Sequence, residues 1–269
     1  MNGDVLCAPS NHAASQLFDI TLEPEAPETR PLRHMEPVVV LHGATHSAAR
    51  VRLFDLGNPH IQKSARMAQL EFTSPQIGFA GQRFVIRRPA TLETVTGGTI
   101  LDPNATRVTH NKAAHIEVWD ATLRGDLKDV ARALATRDQG CVDLYLLARL
   151  ARTSIDNCIE ALGSDFVIGS PTMAFSSAAI AALEDQILQV LSDFHKTRSL
   201  RPQIDDAMLR SNLGPHDGAL ATKALEQLLE NETVVQSLDG LARADHDPNT
   251  AMSKTAQAEY AAAQQRLKD

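Results

Sequence analysis

Three arginines and one glycine pair combine residue types and spacing that could do chemistry. Arg83, Arg87 and Arg88 lie close together, and Gly97-Gly98 follows after a short stretch. Guanidinium groups bind phosphate oxygens, and glycine in a turn lets the main chain approach a ligand closely. The combination predicts contact with the phosphate backbone of a nucleic acid. The alternative is a solvated strand face with scattered arginines, because adjacent Arg87 and Arg88 cannot share one face of a strand.

The sequence predicts no catalytic residues and no metal or cofactor site. It lacks the Gly-x-x-x-x-Gly-Lys-Ser/Thr loop that holds nucleotide phosphates, so we do not expect this chain to hydrolyse GTP by itself. The run Asp245-His246-Asp247 has no marked nucleophile beside it. Four histidines lack the cysteine pairs or acidic neighbours of a metal site: His42, His46, His110 and His115. An unrecognised hydrolase site would need a deep apolar pocket with converging titratable groups, which we do not expect.

Composition and charge narrow the class of protein. A length of 269 residues, with 43% hydrophobic and 22% charged residues, is typical of a soluble globular protein of about two domains or more. Residues 1–110 hold 10 basic and 10 acidic side chains, whereas residues 111–269 hold 16 basic and 23 acidic ones. The acidic second part disfavours non-specific binding of nucleic acid there.

Nothing in the sequence indicates export or a membrane. Cys7, Cys141 and Cys158 are too widely separated for a disulfide framework, which fits a reducing cytosol. No apolar run approaches the roughly 20 residues that span a bilayer, and the first residues lack the features of a secretion signal. We therefore expect a cytoplasmic protein without membrane contact.

Residues 17–103 show the period of two that is typical of β-strands. Six segments alternate between turn residues: Leu17–Leu22, Val38–His42, Ala48–Phe54, Met67–Phe72, Arg83–Arg88 and Thr94–Leu101. In the fourth segment, Leu70 falls on one face while Gln69 and Glu71 fall on the other, so one face is expected to be buried and one wet. This pattern predicts a small antiparallel β barrel or sandwich.

The period changes to that of helices after a polar segment, 104–117, which we interpret as a linker. Helices are predicted at 126–137, 142–151 and 153–162, the last with Thr153 as its N-cap. A short hairpin over 166–175 follows. Three helices and then a hairpin predict a winged helix over residues 118–176.

The same outline repeats after residue 176. Helices are predicted at 177–196, 204–211 and 217–230, followed by a hairpin around Asp239-Gly240. A second winged helix is therefore expected over 177–248. The last segment, 249–269, is predicted to be helical and could begin a third, truncated winged helix.

Several segments of the first part carry a family resemblance. The sequences GQRFVIR at 81–87 and TVTGGTILDP at 94–103 resemble the closing strands of the third domain of selenocysteine-specific translation elongation factors, the SelB family. Earlier segments match the preceding strands of that domain in order and spacing: PLRH at 31–34, LHG at 41–43, ARVRL at 49–53 and AQLEF at 68–72. Residues 175–195 resemble the family's junction between its first two winged helices.

The resemblance implies a fold and a role. The fold is mixed and multi-domain: residues 1–16 as the remnant of a preceding β barrel, 17–103 as a barrel of the elongation-factor third-domain type, then tandem winged-helix α+β modules. The barrel would help to bind selenocysteyl-tRNA at the ribosome, through Arg83, Arg87, Arg88, Gly97 and Gly98. A GTPase domain with GTP and Mg²⁺ would lie before Met1 or on a separate fragment, and the modules that bind an mRNA hairpin would lie after Asp269.

The third helix of each predicted winged helix points to a spacer role. A helix that reads nucleic acid needs cationic or amide side chains on its exposed face. The first of these helices contains Asp156 and Glu160 and no cation, and the second sets Lys223 against several carboxylates. Phosphate repulsion would oppose docking of either helix. The alternative is a stand-alone winged-helix module with an appended barrel, which would have to bind a nucleic acid or protein specifically.

Overall fold

Alternating apolar and polar residues form six strands in the first part of the chain. The computed structural model describes residues 14–24, 30–54, 66–109, 112–198, 200–214, 218–237 and 240–248. Its first strands are β1 Ser15–Leu22, β2 Glu36–His42, β3 Thr45–Leu53, β4 Arg66–Gln76, β5 Arg83–Arg87 and β6 Thr94–Asp102. All six predicted strand segments are confirmed. Strand β1 begins at Ser15, inside the segment 1–16 that was assigned to a preceding domain; residues 1–13 lie outside the described ranges.

The six strands close into an antiparallel barrel in the order β1-β4-β3-β2-β5-β6, and β6 pairs back onto β1. Inward side chains such as Phe18, Leu70 and Ile86 fill its core and are fully buried. Gly98 lies inside β6, opposite Leu22 of β1 and Phe84 of β5. The prediction of a turn at Gly97-Gly98 is therefore wrong. The two flanking strands approach so closely that a Cβ on Gly98 would lie 1.8 Å from the Thr21 carbonyl oxygen.

Part of the outer barrel face is covered, contrary to the expectation of a wet face. Gln69 on β4 has 0% of its surface exposed, because residues that follow β6 and helix α1, Lys112–Arg124, lie over it. That helix also corrects the linker prediction for 104–117. Its buried positions, from Ala114 to Thr122, recur at helical spacing across the expected boundary at residue 117, so the polar composition of the segment concealed a helix start. Residues 110–111 lie outside the described ranges.

Three further helices follow as predicted: α2 Leu127–Arg137, α3 Leu144–Ala151 and α4 Ile155–Leu162. Two local expectations are wrong. Residues Cys141–Asp143 form a short strand, β7, and Asp143 caps α3 by accepting hydrogen bonds from two main-chain N–H groups. Ser154, and not Thr153, is the N-cap of α4, because α3 ends on the left-handed residue Arg152 and leaves Thr153 in the connection.

From residue 166 to residue 248, the described residues form a hairpin, three helices and a second hairpin. The elements are β8 Phe166–Ser170, β9 Met173–Ser176, α5 Ser177–Thr197, α6 Asp206–Asn212, α7 Gly218–Glu230, β10 Val234–Ser237 and β11 Gly240–Arg243. Strands β7, β9 and β8 form one small sheet, and Ile204 pairs with Leu241 beside the second hairpin. These helices and hairpins have the order that the sequence predicts for winged helices. The terminal segment 249–269, including the predicted last helix, lies outside the described residues.

The chain divides into two compact units. Unit 1 comprises residues 1–137 and 143–163, so it holds the barrel and helices α1–α4; unit 2 comprises residues 138–142 and 164–269. Unit 2 has its own apolar core, built around buried positions of α5 and α7 such as Leu183, Leu191 and Leu228. None of the helices within the described ranges is long and apolar enough to cross a membrane.

Candidate functional site

Strand β5 determines where the predicted arginines point. Phe84 and Ile86 face the barrel core, so Arg83, Val85 and Arg87 face outward, as the alternation predicts. The side chain of Arg83 is 72% exposed, and its Nη2 lies 2.5 Å from Glu23 Oε1. Arg87 donates from Nε to Thr94 Oγ1 over 3.3 Å. The structure thus brings two of the three arginines to one outer face of the barrel.

Arg88 has a different environment. Its side chain is 11% exposed, with Nε 3.1 Å from Glu36 Oε1 and Nη1 3.1 Å from Glu93 Oε2, and it donates to the Arg30 carbonyl. Burial alone would raise the pKa of Glu36, but hydrogen bonds from the Arg33 main chain, Arg88 and Arg30 lower it below its usual value. Arg88 therefore connects the start of β2 with the segments that hold Arg30 and Glu93.

The glycine pair is less open than the sequence suggests. Gly98 is buried between β1 and β5, and Gly97 is half-buried, with a Cβ position 3.0 Å from the Phe84 carbonyl oxygen. Both glycines serve the close approach of strands at the point where the barrel closes. A role for them in contacting RNA stays a prediction.

The outer face continues from β5 across β2 to β3. Val39 of β2 lies opposite Arg87 and Ala48, and Leu41 lies opposite Val85, which is 36% exposed. Arg50 points outward from β3 and donates to the Met35 carbonyl oxygen over 3.3 Å. We call this the β5–β2–β3 face. It is a half-exposed apolar strip with a cation on each side.

Arg50 is the residue of this face that sequence reasoning missed. The signal was the alternation of β3, in which Arg50 lies between Ala49 and Val51, two small apolar residues that face the barrel core. Arg50 and Arg87 lie two interstrand spacings apart across the sheet, about 10 Å before the offset along the strands is added. Within the described ranges, neither of these two arginines forms an ion pair with a carboxylate.

The third helices of both predicted winged helices expose acidic side chains. On α4 these are Asp156 and Glu160, and on α7 they are Glu226 and Glu230. Lys223 of α7 is held by Glu226, with Nζ 3.1 Å from Oε2. The same face of α7 lines an open cleft of about 500 Å³ whose other wall is the β8–β9 hairpin. Neither helix presents a cationic surface. No three His, Cys, Asp or Glu side chains of the described residues are placed to hold a metal ion.

Comparisons with known proteins agree with this architecture. The sequence model of the selenocysteine-specific elongation factor β-barrel domain matches residues 19–107, and that of the elongation factor SelB winged helix matches residues 188–241. A selenocysteine-specific elongation factor from Desulfomicrobium baculatum is 25% identical over 219 residues, covering 79% of this chain and 34% of the relative. The crystal structure of a bacterial selenocysteine-specific elongation factor, EF-Sec, has the same fold over 93% of this chain, with a TM-score of 0.59 and 15% identity.

The chain spans about a third of the length of these relatives, 34% of the one and 38% of the other. Both domain matches fall where the strands and helices of the corresponding type are observed. The resemblance on which the sequence analysis depends is confirmed. The chain carries the β-barrel domain and a winged-helix domain of the selenocysteine-specific elongation factor family.

Proposed function

We propose that this chain helps to bind selenocysteyl-tRNA through its barrel and holds a spacer arm of winged helices toward an mRNA hairpin. The observation that carries the proposal is the pair Arg50 and Arg87 on the β5–β2–β3 face of a barrel of this family, neither of which pairs with a carboxylate of the described residues. Two cations on one face can contact separate phosphates of a nucleic-acid backbone without reading its sequence. Exposed Arg83 adds a third cation to this surface, whereas Arg88 is largely buried and is held in ion pairs with Glu36 at the start of β2 and with Glu93.

The helical part supports a spacer role by its charge. The exposed carboxylates of α4 and α7 repel phosphates, so docking of either helix into a nucleic-acid groove is disfavoured. We infer that these modules set a distance, and that the mRNA hairpin is bound by further modules of the whole factor. This is also the observation that counts against a stand-alone nucleic-acid-reading winged helix.

GTP chemistry belongs to another domain in this proposal. The sequence has no phosphate-binding loop, so we propose that GTP, Mg²⁺ and ribosome-stimulated hydrolysis are supplied by a GTPase domain on the same polypeptide or on a separate one. The site of action would be the cytoplasm. Purified chain is expected to show no GTP turnover above background, and turnover that follows the protein through purification would contradict the proposal.

The binding proposal is tested by fluorescence anisotropy with labelled tRNA. We expect weak binding of selenocysteyl-tRNA that falls steeply as the salt concentration is raised, and similar binding of bulk elongator tRNA, because phosphate contacts do not read sequence. Combining Arg50→Ala with Arg87→Ala should lower the affinity severalfold and reduce the salt slope by about 1 to 2, because up to two phosphate contacts are lost.

A matched control removes the same charge elsewhere. Arg124→Ala combined with Arg132→Ala changes two exposed arginines of helices α1 and α2 and should leave the affinity for tRNA unchanged. Equal losses in the two double variants would show that only net charge matters and would overturn the assignment of the face. Tighter binding of duplex DNA than of tRNA would favour the stand-alone winged-helix alternative.

A further inference from the structure

Two carboxylates are buried side by side where the barrel meets its helices. Asp19 on β1 and Asp102 on β6 are cross-strand partners, and they are 7% and 4% exposed. Both point away from the barrel core toward helices α1 and α3, within unit 1. Burying two ionisable acids beside each other is costly unless each is compensated.

The two acids are compensated unequally. Arg149 of α3 binds Asp102 with both arms of its side chain, Nε to Oδ1 at 2.7 Å and Nη2 to Oδ2 at 3.0 Å. Asp19 instead receives neutral donors: Gln69 Nε2 to Oδ1 at 2.7 Å and Trp119 Nε1 to Oδ2 at 2.9 Å. We call these five residues the barrel–helix joint.

Charged and titratable groups surround Asp19 on every element that packs against it. They are Asp102 on β6, Glu71 on β4, Arg52 on β3, Arg107 after β6, His115 on α1, Arg137 on α2 and Arg149 on α3. None of the arginines in the described ranges lies within ion-pair distance of Asp19. The joint therefore holds two acids against one contacting cation.

We propose that the barrel–helix joint is a proton-controlled coupling, in which loss of a proton from Asp19 weakens the hold of the barrel on helix α1. An ionised Asp19 is buried beside the negative charge of Asp102 with only neutral donors in contact, whereas in an opened joint water would solvate it. A protonated Asp19 avoids the cost of the buried charge, and its O–H then takes the place of one of the two N–H donors at the carboxyl group. The inference does not depend on the proposed function.

The direction of the effect follows from the two states of Asp19. Burial raises the pKa of Asp19 to about 7; hydrogen bonds from Gln69 and Trp119 and the charge of Arg137 oppose the rise, and Asp102 adds to it. In an opened joint the pKa returns toward its ordinary value of 3.8. The closed joint thus binds the extra proton between these values, so its stability falls as pH rises through 7.

The single tryptophan of the chain makes the titration directly visible, because Trp119 donates to Asp19 and gives the one indole N–H signal in a nitrogen-15 NMR spectrum. We expect that signal to titrate with a midpoint near pH 7. Asp19→Asn should abolish the titration. His115→Gln should retain it, which separates Asp19 from the His115 ring that lies 6.4 Å from the indole.

A second measurement does not require the Asp19 variant to fold. Hydrogen exchange of α1 amides in the unaltered protein, corrected for intrinsic base catalysis, should show protection that falls about tenfold from pH 6 to pH 8. An indole signal that does not titrate, that still titrates in Asp19→Asn, or that stops titrating in His115→Gln would overturn the proposal. Protection of α1 that does not change between pH 6 and pH 8 would overturn it as well.

Discussion

The barrel–helix joint of unit 1 and a histidine pair of unit 2 both bury ionisable side chains, but these side chains are satisfied in different ways. In unit 1, both oxygens of Asp19 accept hydrogen bonds and Asp102 has its own arginine. In unit 2, His195 of α5 and His246 after β11 stack with ring centroids 3.7 Å apart and an angle of 11° between the rings. We call this pair the histidine stack. Both nitrogens of His195 and Nε2 of His246 are buried without a hydrogen-bond partner in the described residues.

The difference reverses the response to pH. Burial lowers the pKa of His195, and the charges of His246 and Arg243 lower it further. Asp245 and the Pro202 main chain act in the opposite direction, although neither His195 nitrogen forms a hydrogen bond with good geometry within the described residues. A buried acid with a raised pKa makes the folded state more stable at low pH, and a buried base with a lowered pKa makes it more stable at high pH. Acidification should therefore tighten the barrel–helix joint and loosen the histidine stack.

Removing the tryptophan of the joint is expected to have the largest effect. Trp119→Ala leaves a cavity beside Phe54, whose ring lies 5.1 Å away, and removes one of the two donors to Asp19. The free energy of unfolding should fall by about 3–5 kcal/mol. Urea unfolding followed by circular dichroism measures this loss.

Two variants separate packing from hydrogen bonding at this site. Trp119→Phe keeps most of the ring and loses only the donor, so it should cost about 1–3 kcal/mol. Tyr145→Ala removes an exposed aromatic side chain from α3 and should change stability by no more than about 0.5 kcal/mol. If Trp119→Phe cost as much as Trp119→Ala, packing would contribute little and the description of the joint would be wrong.

Local periodicity predicted the elements but not the joint. The six strands follow from alternation, and most helices follow from apolar spacing. Gln69 looks solvent-facing in its own strand, and only chain segments distant in sequence cover it: Asp19 is 50 residues away and Thr106 is 37. The bond from Trp119 to Asp19 spans 100 residues. No periodic pattern reports which distant side chain will cover a given face.

The candidate site shows the same division. Alternation along β5 correctly placed Arg83 and Arg87 outside the barrel. It could not show that Arg88 is neutralised, because its partner Glu36 comes from a strand 52 residues away. The turn predicted at Gly97-Gly98 failed because glycine also serves close strand packing, which depends on the tertiary structure.

Arg88 adds a third, largely buried charge to this comparison, one that contacts two carboxylates, Glu36 and Glu93. Arg88→Ala removes one of the two arginines that contact the largely buried Glu36 and leaves only Arg30, so we expect a loss of about 2–3 kcal/mol in the free energy of unfolding. Arg83→Ala breaks an exposed pair with Glu23 and should cost about 0–1 kcal/mol. Urea titration of both variants at pH 7 makes the comparison. Equal losses would mean that the burial of Arg88 has no energetic consequence.

The histidine stack gives the smallest expected effect, and it depends on pH. His195 has a lowered pKa, so its contribution to stability is present above the ordinary histidine value of 6.5 and is lost as pH falls below it. Hydrogen exchange of the β11 amides should therefore show protection that falls between pH 7 and pH 5, by at most about tenfold per pH unit. Over the same range, α1 amides of unit 1 should gain protection.

A variant that keeps an aromatic ring at position 195 but cannot be protonated tests whether His195 causes the loosening. His195→Phe keeps a ring against His246 and cannot take up a proton, so the loss of β11 protection at pH 5 should be smaller than in the unaltered chain. His46→Gln removes an exposed histidine of the barrel and should leave the β11 response unchanged. If His195→Phe lost β11 protection on acidification as fully as the unaltered chain, another group would drive the loosening. The opposite pH responses of the barrel–helix joint and the histidine stack would then have a different origin in unit 2.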